Sequence, residues 1–171
     1  MPVCTYCGCD EEPAIQSLRG EHATIEERIG AVVSAVEHGS PDKVQAAVAN
    51  LVSVFALHSG REEEGLFAEL GGDTAASGEV DRLRGEHREL LARLAAQGTG
   101  ERPEELLRLM AQLSHHADTE DTDLFPYAMQ SLSSGSWERL RELMAGAPGP
   151  SGQSGEPAES GSARETCTGE Y

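Results

Sequence analysis

Apolar side chains recur every three or four residues along four stretches of the chain, between about residues 14 and 145. Residues with this spacing share one face of an α-helix, so each stretch predicts an amphipathic helix with an inward face. The inward faces contain Ile15, Leu18, His22, Ile25, Ile29, Val32 and Val36; Val44, Val48, Leu51, Phe55, His58 and Glu62; Val80, Leu83, His87, Leu90 and Leu94; and Leu106, Leu109, Leu113, His116 and Glu120. Such a chain is expected to bury four helical faces against one another.

Glycine and proline separate the four stretches. A glycine is typical just after a helix and a proline in its first turn. The predicted boundaries are Gly39 with Ser40 and Pro41, Gly71 with Gly72, and Gly100 with Pro103. Because short connections make neighbouring helices antiparallel, the predicted fold is all-α, an up-down-up-down four-helix bundle. A short extra helix over about 136–145 is expected to place Trp137 as a lid on this bundle.

The two ends of the chain differ in composition from the bundle at 14–145. Residues 146–171 are rich in Pro, Gly, Ser and Glu, and such a segment buries too little apolar surface to fold, so a disordered tail is expected. Residues 1–13 form a cysteine-bearing leader. The chain shows neither an export signal nor an apolar run long enough to span a bilayer, which favours a cytoplasmic protein.

The net charge of −17 limits the classes of partner. Nucleic acids and anionic membranes attract clusters of Lys and Arg, so neither is expected to bind this chain. Aromatic residues make up only 4%, which argues against a stacking surface for single strands. An acidic protein attracts cations instead.

Half of the bundle repeats the other half. The sequence of residues 18–22, Leu-Arg-Gly-Glu-His, recurs at 83–87, and residues 58–67 recur loosely at 116–125. The first two helices therefore resemble the last two. This duplicated hairpin predicts a site with pseudo-two-fold symmetry.

The histidines on the inward faces lie at matching depths. His22 is seventeen residues before Gly39, and His58 is seventeen residues after Pro41, so each is about 26 Å from the same end of the bundle. His87 and His116 are likewise thirteen residues from Gly100 and Pro103. Glu62 and Glu120 each follow a histidine by four positions, on the same helix face. One layer is thus predicted to hold four imidazoles and two carboxylates.

This set of side chains suits a pair of transition-metal ions. Imidazole binds iron, zinc, copper and nickel, and a carboxylate can bridge two ions. A closed structural zinc site needs only four ligands. Six ligands do not fill two octahedral ions, so positions remain open for a small molecule. An unpaired glutamate on an apolar face is costly without a cation.

The paired pattern resembles the hemerythrin-like, or HHE cation-binding, domain family. That family has a histidine on the first and third helices and a His-x3-Glu on the second and fourth. The matching residues are His22; His58, Glu62, Leu66 and Phe67; His87; and His116, Glu120, Leu124, Phe125 and Pro126. The resemblance covers about 14–130 and implies two iron ions, Fe²⁺ or Fe³⁺, with an oxo or hydroxo bridge, ligated by the four histidines and by bridging Glu62 and Glu120.

Two departures separate the chain from the oxygen carriers of that family. Those proteins have a second histidine one turn after the third-helix histidine, where this chain has Leu91. Their last helix uses His-x4-Asp, whereas here the match is His116-x3-Glu120, with His115 as an alternative ligand. Sensing or turnover of a small oxidant is therefore favoured over reversible oxygen carriage. The metal can also be manganese.

Four acidic residues adjoin the predicted ligands in sequence. Glu21 and Glu86 precede histidines and are expected to face solvent, with a supporting contact to the site as the alternative. Glu63 and Asp121 are expected at the surface or in contact with a ligand.

The leader contains a separate cluster of thiols. Cys4, Cys7 and Cys9 lie within six residues, and Cys167 is the fourth cysteine of the chain. These residues suit zinc, an iron–sulfur site or a redox-active disulfide, with a reduced leader as the alternative.

The first functional hypothesis is a non-haem di-iron protein that binds or reacts with dioxygen, peroxide or nitric oxide, in defence or sensing. The alternatives are a di-iron oxidoreductase acting on peroxide or on a small organic substrate, and an iron- or oxygen-responsive module that contacts a protein partner through its leader or tail. A metal-free bundle with a polar core is the remaining interpretation.

Overall fold

A computed structural model describes residues 12–96 and 102–146, and nearly all of them are helical. The helices are α1 (Pro13–His38), α2 (Pro41–Glu64), α3 (Leu66–Leu70), α4 (Ser77–Ala96), α5 (Pro103–Thr119), α6 (Phe125–Ser131) and α7 (Ser134–Gly146), with a π-helical segment (Glu120–Leu124) joining α5 to α6. No strand occurs in these two ranges. The prediction of an all-α bundle with an extra C-terminal helix is confirmed.

The four long helices form a closed ring of contacts. Helix α1 packs on α2, α2 on α4, α4 on α5, and α5 back on α1, while α7 packs against α1. Prolines open α1, α2 and α5. Ser40 precedes α2 as predicted, although its side chain makes no capping hydrogen bond.

The apolar core is divided into two clusters. One cluster surrounds Phe67, Phe125 and Trp137 and includes the inner side of α7. The other surrounds Phe55 and contains apolar residues of α1, α2, α4 and α5. The predicted histidine and glutamate layer lies between the two clusters in sequence on every long helix. A polar layer therefore interrupts the bundle core.

The second helix ends earlier than predicted. The sequence indicated one helix as far as Gly71, but α2 stops at Glu64 and Gly65 begins the short α3. A Cβ on Gly65 would lie 2.8 Å from the Arg61 carbonyl oxygen and 2.9 Å from Leu143 Cδ2. The break thus occurs where α7 packs directly on the backbone of this segment.

Several sequence predictions fall outside the described residues. They are the end of the third helix at Gly100, the leader with Cys4, Cys7 and Cys9, and the tail with Cys167. Among the helices described, none is both long and apolar enough to cross a membrane.

Candidate metal centre

Six buried polar side chains meet between the two apolar clusters, and we call them the polar layer. Helix α1 provides one of them, α2 two, α4 one, α5 one and the π-helical segment one. Each is at most 3% exposed. The members are His22, His58, Glu62, His87, His116 and Glu120. These are the six residues that the sequence pattern singled out.

The polar layer contains two groups of converging ligand atoms. His22, His58, Glu62 and Glu120 form one group, in which the ligand atoms all lie within 4.8 Å of one another. His87, His116 and Glu120 form the other on the same criterion. Within the first group, the Nε2 atoms of His22 and His58 are 3.2 Å apart. Each hairpin therefore provides one pair of imidazoles that point to a common place.

Glu120 links the two groups. Its Oε2 lies 3.2 Å from His22 Nε2, and its Oε1 lies 3.2 Å from His116 Nε2. Glu62 is also central, because its Oε2 is 3.4 Å from His58 Nε2 and 3.5 Å from His87 Nε2. Both carboxylates thus contact histidines of both hairpins, as a bridging role requires.

Several inward atoms lack a hydrogen-bond partner. Both carboxylate oxygens of Glu62 and of Glu120 are buried and unpartnered, as are Nε2 of His87 and of His116. Buried polar atoms are normally satisfied, and an isolated buried carboxylate is strongly disfavoured. A cation between these atoms would satisfy all of them, so the donor set fits a metal.

The outward nitrogen of each histidine contacts a carboxylate from the preceding helix around the bundle. We call these acids the outer carboxylates. The four Nδ1–oxygen contacts are His58 with Glu21 at 3.1 Å, His87 with Glu63 at 3.1 Å, His116 with Glu86 at 2.9 Å, and His22 with Asp121 at 3.2 Å. A carboxylate that accepts a hydrogen bond from Nδ1–H leaves the Nε2 lone pair directed inward.

The expectation that Glu21 faces solvent is wrong, since this side chain is only about 10% exposed. Glu86 remains 36% exposed but still contacts His116. Glu63 and Asp121 contact ligands, which was one of the two expectations for them. The signal was available in the sequence, because an acid adjoins His22, His87, Glu62 and Glu120 in the chain.

Arginines lie behind three of the outer carboxylates. Arg61 is buried and forms an ion pair with Glu21. Arg82 pairs with Glu86 from the preceding turn of α4, at the surface. Arg19 Nε lies 3.5 Å from Asp121 Oδ1. The arginines thus fix the positions of these three carboxylates beside the histidines.

Charge pairing changes the pKa values within the polar layer. Burial alone would lower the pKa of His22, but the neighbouring carboxylates of Asp121 and Glu120 raise it to about 9. Burial is likewise outweighed for His87, where Glu120 and Glu62 raise the pKa to about 9. The same histidines hold the pKa of Glu120 well below its ordinary value despite burial. The histidines and Glu120 thus favour each other's charged forms.

Three phenylalanines enclose the polar layer. Phe125 stacks on His22 with ring centroids 5.5 Å apart, and Phe67 stacks on His87 at 5.4 Å. The ring of Phe55 lies edge-on to His87 and His116. All three are fully buried. They exclude water from both ends of the layer.

Of the two adjacent histidines on α5, His116 lies in the polar layer and His115 is exposed. The remaining candidate ligands, Cys4, Cys7, Cys9 and Cys167, are outside the residues that the structure describes.

A family model provides an independent comparison. The model of the hemerythrin HHE cation binding domain matches residues 14–128, which include the whole polar layer. Neither a curated protein nor a solved structure matches the chain.

Proposed function

Because the chain belongs to the hemerythrin HHE cation-binding domain family, we propose that it is a di-iron protein that binds or reduces a small oxidant: dioxygen, hydrogen peroxide or nitric oxide. The observation that carries this proposal is the position of Glu120, whose two oxygens face one histidine pair each. A carboxylate in this position suits two ions side by side rather than one.

The donor set supports iron in particular. Four imidazole nitrogens and two carboxylates combine ligands of intermediate and hard character, which suits iron or manganese better than the thiolate-rich sites of structural zinc. The four histidines, Glu62 and Glu120 would hold a pair of Fe²⁺ ions, which would supply the two electrons that, with two protons, convert hydrogen peroxide to two water molecules. The chain's own residues provide the geometry for this chemistry.

The outer carboxylates orient the proposed ligands. Each accepts a hydrogen bond from Nδ1–H of one histidine, so that all four Nε2 atoms point inward before any metal arrives. Removal of such partners typically lowers metal affinity by about 10–100-fold. The buried phenylalanines keep bulk water away, which favours binding of a small reactant at an open metal position.

Metal content and the absorption spectrum of one sample test the proposal. We expect two irons per chain and near-ultraviolet charge-transfer bands from the oxidised protein. Replacing His58 and Glu62 by alanine should abolish iron binding. His38→Ala is the control, because His38 is the exposed last residue of α1 and is not part of the polar layer. Retention of both irons by the double variant would refute the ligand assignment.

The cysteine leader requires a separate measurement. Replacing Cys4, Cys7 and Cys9 by serine should leave two irons in the bundle. Loss of all metal from that variant would move the metal site from the bundle to the leader. A third iron or added sulfide in the unmodified chain would indicate that the leader binds its own metal.

A further inference from the structure

Two grooves in equivalent places flank the polar layer. The first groove lies between α1 and α2, beside Glu21 and His58. The second groove lies between α4 and α5, beside Glu86 and His116. The sequence repeat relates these two pairs of residues to one another. A symmetric protein would therefore have two similar grooves.

The first groove is small. Its cavity has a volume of about 30 Å³, which leaves room for about two water molecules. Val54 and Leu57 give it apolar walls, and the buried guanidinium of Arg61 reaches across it to Glu21. This arrangement leaves little space for a reactant beside His58.

The second groove is much larger. Its cavity has a volume of about 260 Å³. Gln112, His115 and Thr119 occupy the places that Val54, Leu57 and Arg61 have in the first groove. Thr119 is too short to reach Glu86, whose arginine partner lies instead on its own helix at the surface. Polar and shorter side chains thus line the larger of the two duplicated grooves.

The walls of the second groove carry no net formal charge. Arg82 and Arg93 contribute two positive charges, and Glu86 and Glu89 contribute two negative charges. The neutral side chains of Gln112, His115 and Thr119 add hydrogen-bonding groups. The chain as a whole has a net charge of −17 and repels anions. A small neutral molecule with hydrogen-bonding groups suits this lining best.

We propose that the second, larger groove is the port through which hydrogen peroxide reaches the metal centre, and that the small first groove, spanned by Arg61, contributes little. The inference rests on the proposed di-iron function and specifies its reactant. Hydrogen peroxide is neutral, small and able to hydrogen-bond along the polar walls. The groove ends on the imidazole of His116, whose other edge faces Glu120 in the polar layer.

Apolar diatomic molecules provide the contrast. Nitric oxide and dioxygen dissolve in apolar surroundings and can cross the packed core without a polar route. Closing the second groove should therefore slow the reaction with peroxide and leave nitric oxide binding unchanged. This difference separates a port from a general loss of the metal site.

In the test, residues of the second groove are replaced by the bulkier or apolar residues found at the equivalent positions of the first groove. Thr119→Arg is one variant, and Gln112→Val combined with His115→Leu is a second in case the arginine prevents folding. Val54→Gln combined with Leu57→His is the matched control. These changes leave Arg61 in place across the first groove, so the approach to His58 stays narrow. Each iron-loaded protein is mixed with hydrogen peroxide or with nitric oxide in a stopped-flow spectrometer, after its iron content has been measured.

We expect the rate constant for peroxide to fall at least about tenfold in the closed-groove variants, with that for nitric oxide changed by less than about twofold. The control should match the unmodified protein. An unchanged peroxide rate at full iron content would overturn the port, as would an equal fall of both rates. An iron-loaded unmodified protein that reacts with neither molecule would refute the proposed function instead.

A second readout does not depend on reaction. Zinc-loaded protein, which cannot be oxidised at the metal, is titrated with millimolar hydrogen peroxide and followed by amide chemical shifts. Shifts confined to Gln112, His115 and Thr119 would support the port. Equal shifts in both grooves, or none, would contradict it, whatever the iron protein does.

Discussion

Glu21 is more buried than Glu86, its counterpart in the other half of the molecule. Its side chain is about 10% exposed and contacts both His58 and the buried Arg61. Burial alone would raise the pKa of Glu21, but the hydrogen bonds from His58 and Arg61 lower it, so the carboxylate is charged at neutral pH. Glu21→Gln removes this charge and leaves the Arg61 cation beside a neutral amide.

Removing one partner of a buried ion pair costs about 3–5 kcal/mol. Because the glutamine amide oxygen can still accept one hydrogen bond, we expect the lower end, about 3 kcal/mol of unfolding free energy. Glu86→Gln is the matched control in the other hairpin. Glu86 and Arg82 are 36% and 43% exposed, and an exposed pair contributes at most about 1 kcal/mol.

The assay is urea unfolding of both metal-free variants, followed by far-ultraviolet circular dichroism at neutral pH. Glu21→Gln should be less stable than Glu86→Gln by about 2 kcal/mol. Metal affinity should instead fall in both variants by about 10–100-fold, because each loses the partner of one histidine. Stabilities that agree within about 0.5 kcal/mol would refute the role assigned to the buried Arg61 pair.

Three further outcomes are expected. Removal of the metal with a chelator should lower the Tm measured by calorimetry by about 10 °C or more, because the polar layer loses its cation. An unchanged Tm would contradict a buried metal site. Metal binding should release protons and weaken as the pH falls below about 9. The reason is that His22 and His87 have pKa values of about 9 in the metal-free protein and must lose a proton to bind a metal. Calorimetry in buffers of different ionisation enthalpy measures this release. Gly65→Ala should destabilise the bundle by about 1–3 kcal/mol, because the added methyl group would meet the α2 backbone and α7. Gly60→Ala is the control and should stabilise α2 by up to about 1 kcal/mol, because nothing lies within 4 Å of the added methyl group. Equal effects of the two variants in urea unfolding would refute the packing assigned to Gly65.

The sequence predicted the helices and the polar layer for a simple reason. Apolar spacing fixes which face of a helix is buried, and the rise per residue fixes the depth of each side chain. His22 and His58 were therefore expected at one level, and their Nε2 atoms indeed lie 3.2 Å apart. Periodicity and residue counts are local properties, so they can be read without a tertiary structure.

The end of α2 was not predictable in the same way. Gly60 and Gly65 carry the same local signal for a helix end, but α2 continues through Gly60 and stops only before Gly65. The α7 side chains that pack on Gly65 come from residues about eighty positions later in the chain. The π-helical turn at Glu120–Leu124 also lacks a local signal such as glycine.

The outer carboxylates show where the sequence stops being informative. Glu21 is next to His22 in the chain, but it contacts His58, because adjacent residues point about 100° apart around a helix. The sequence determined that an acid adjoins four of the six proposed ligands, and thereby the composition of the centre. Only the packing of the four helices decided which acid meets which histidine, and whether each groove is open, because these contacts join side chains of different helices.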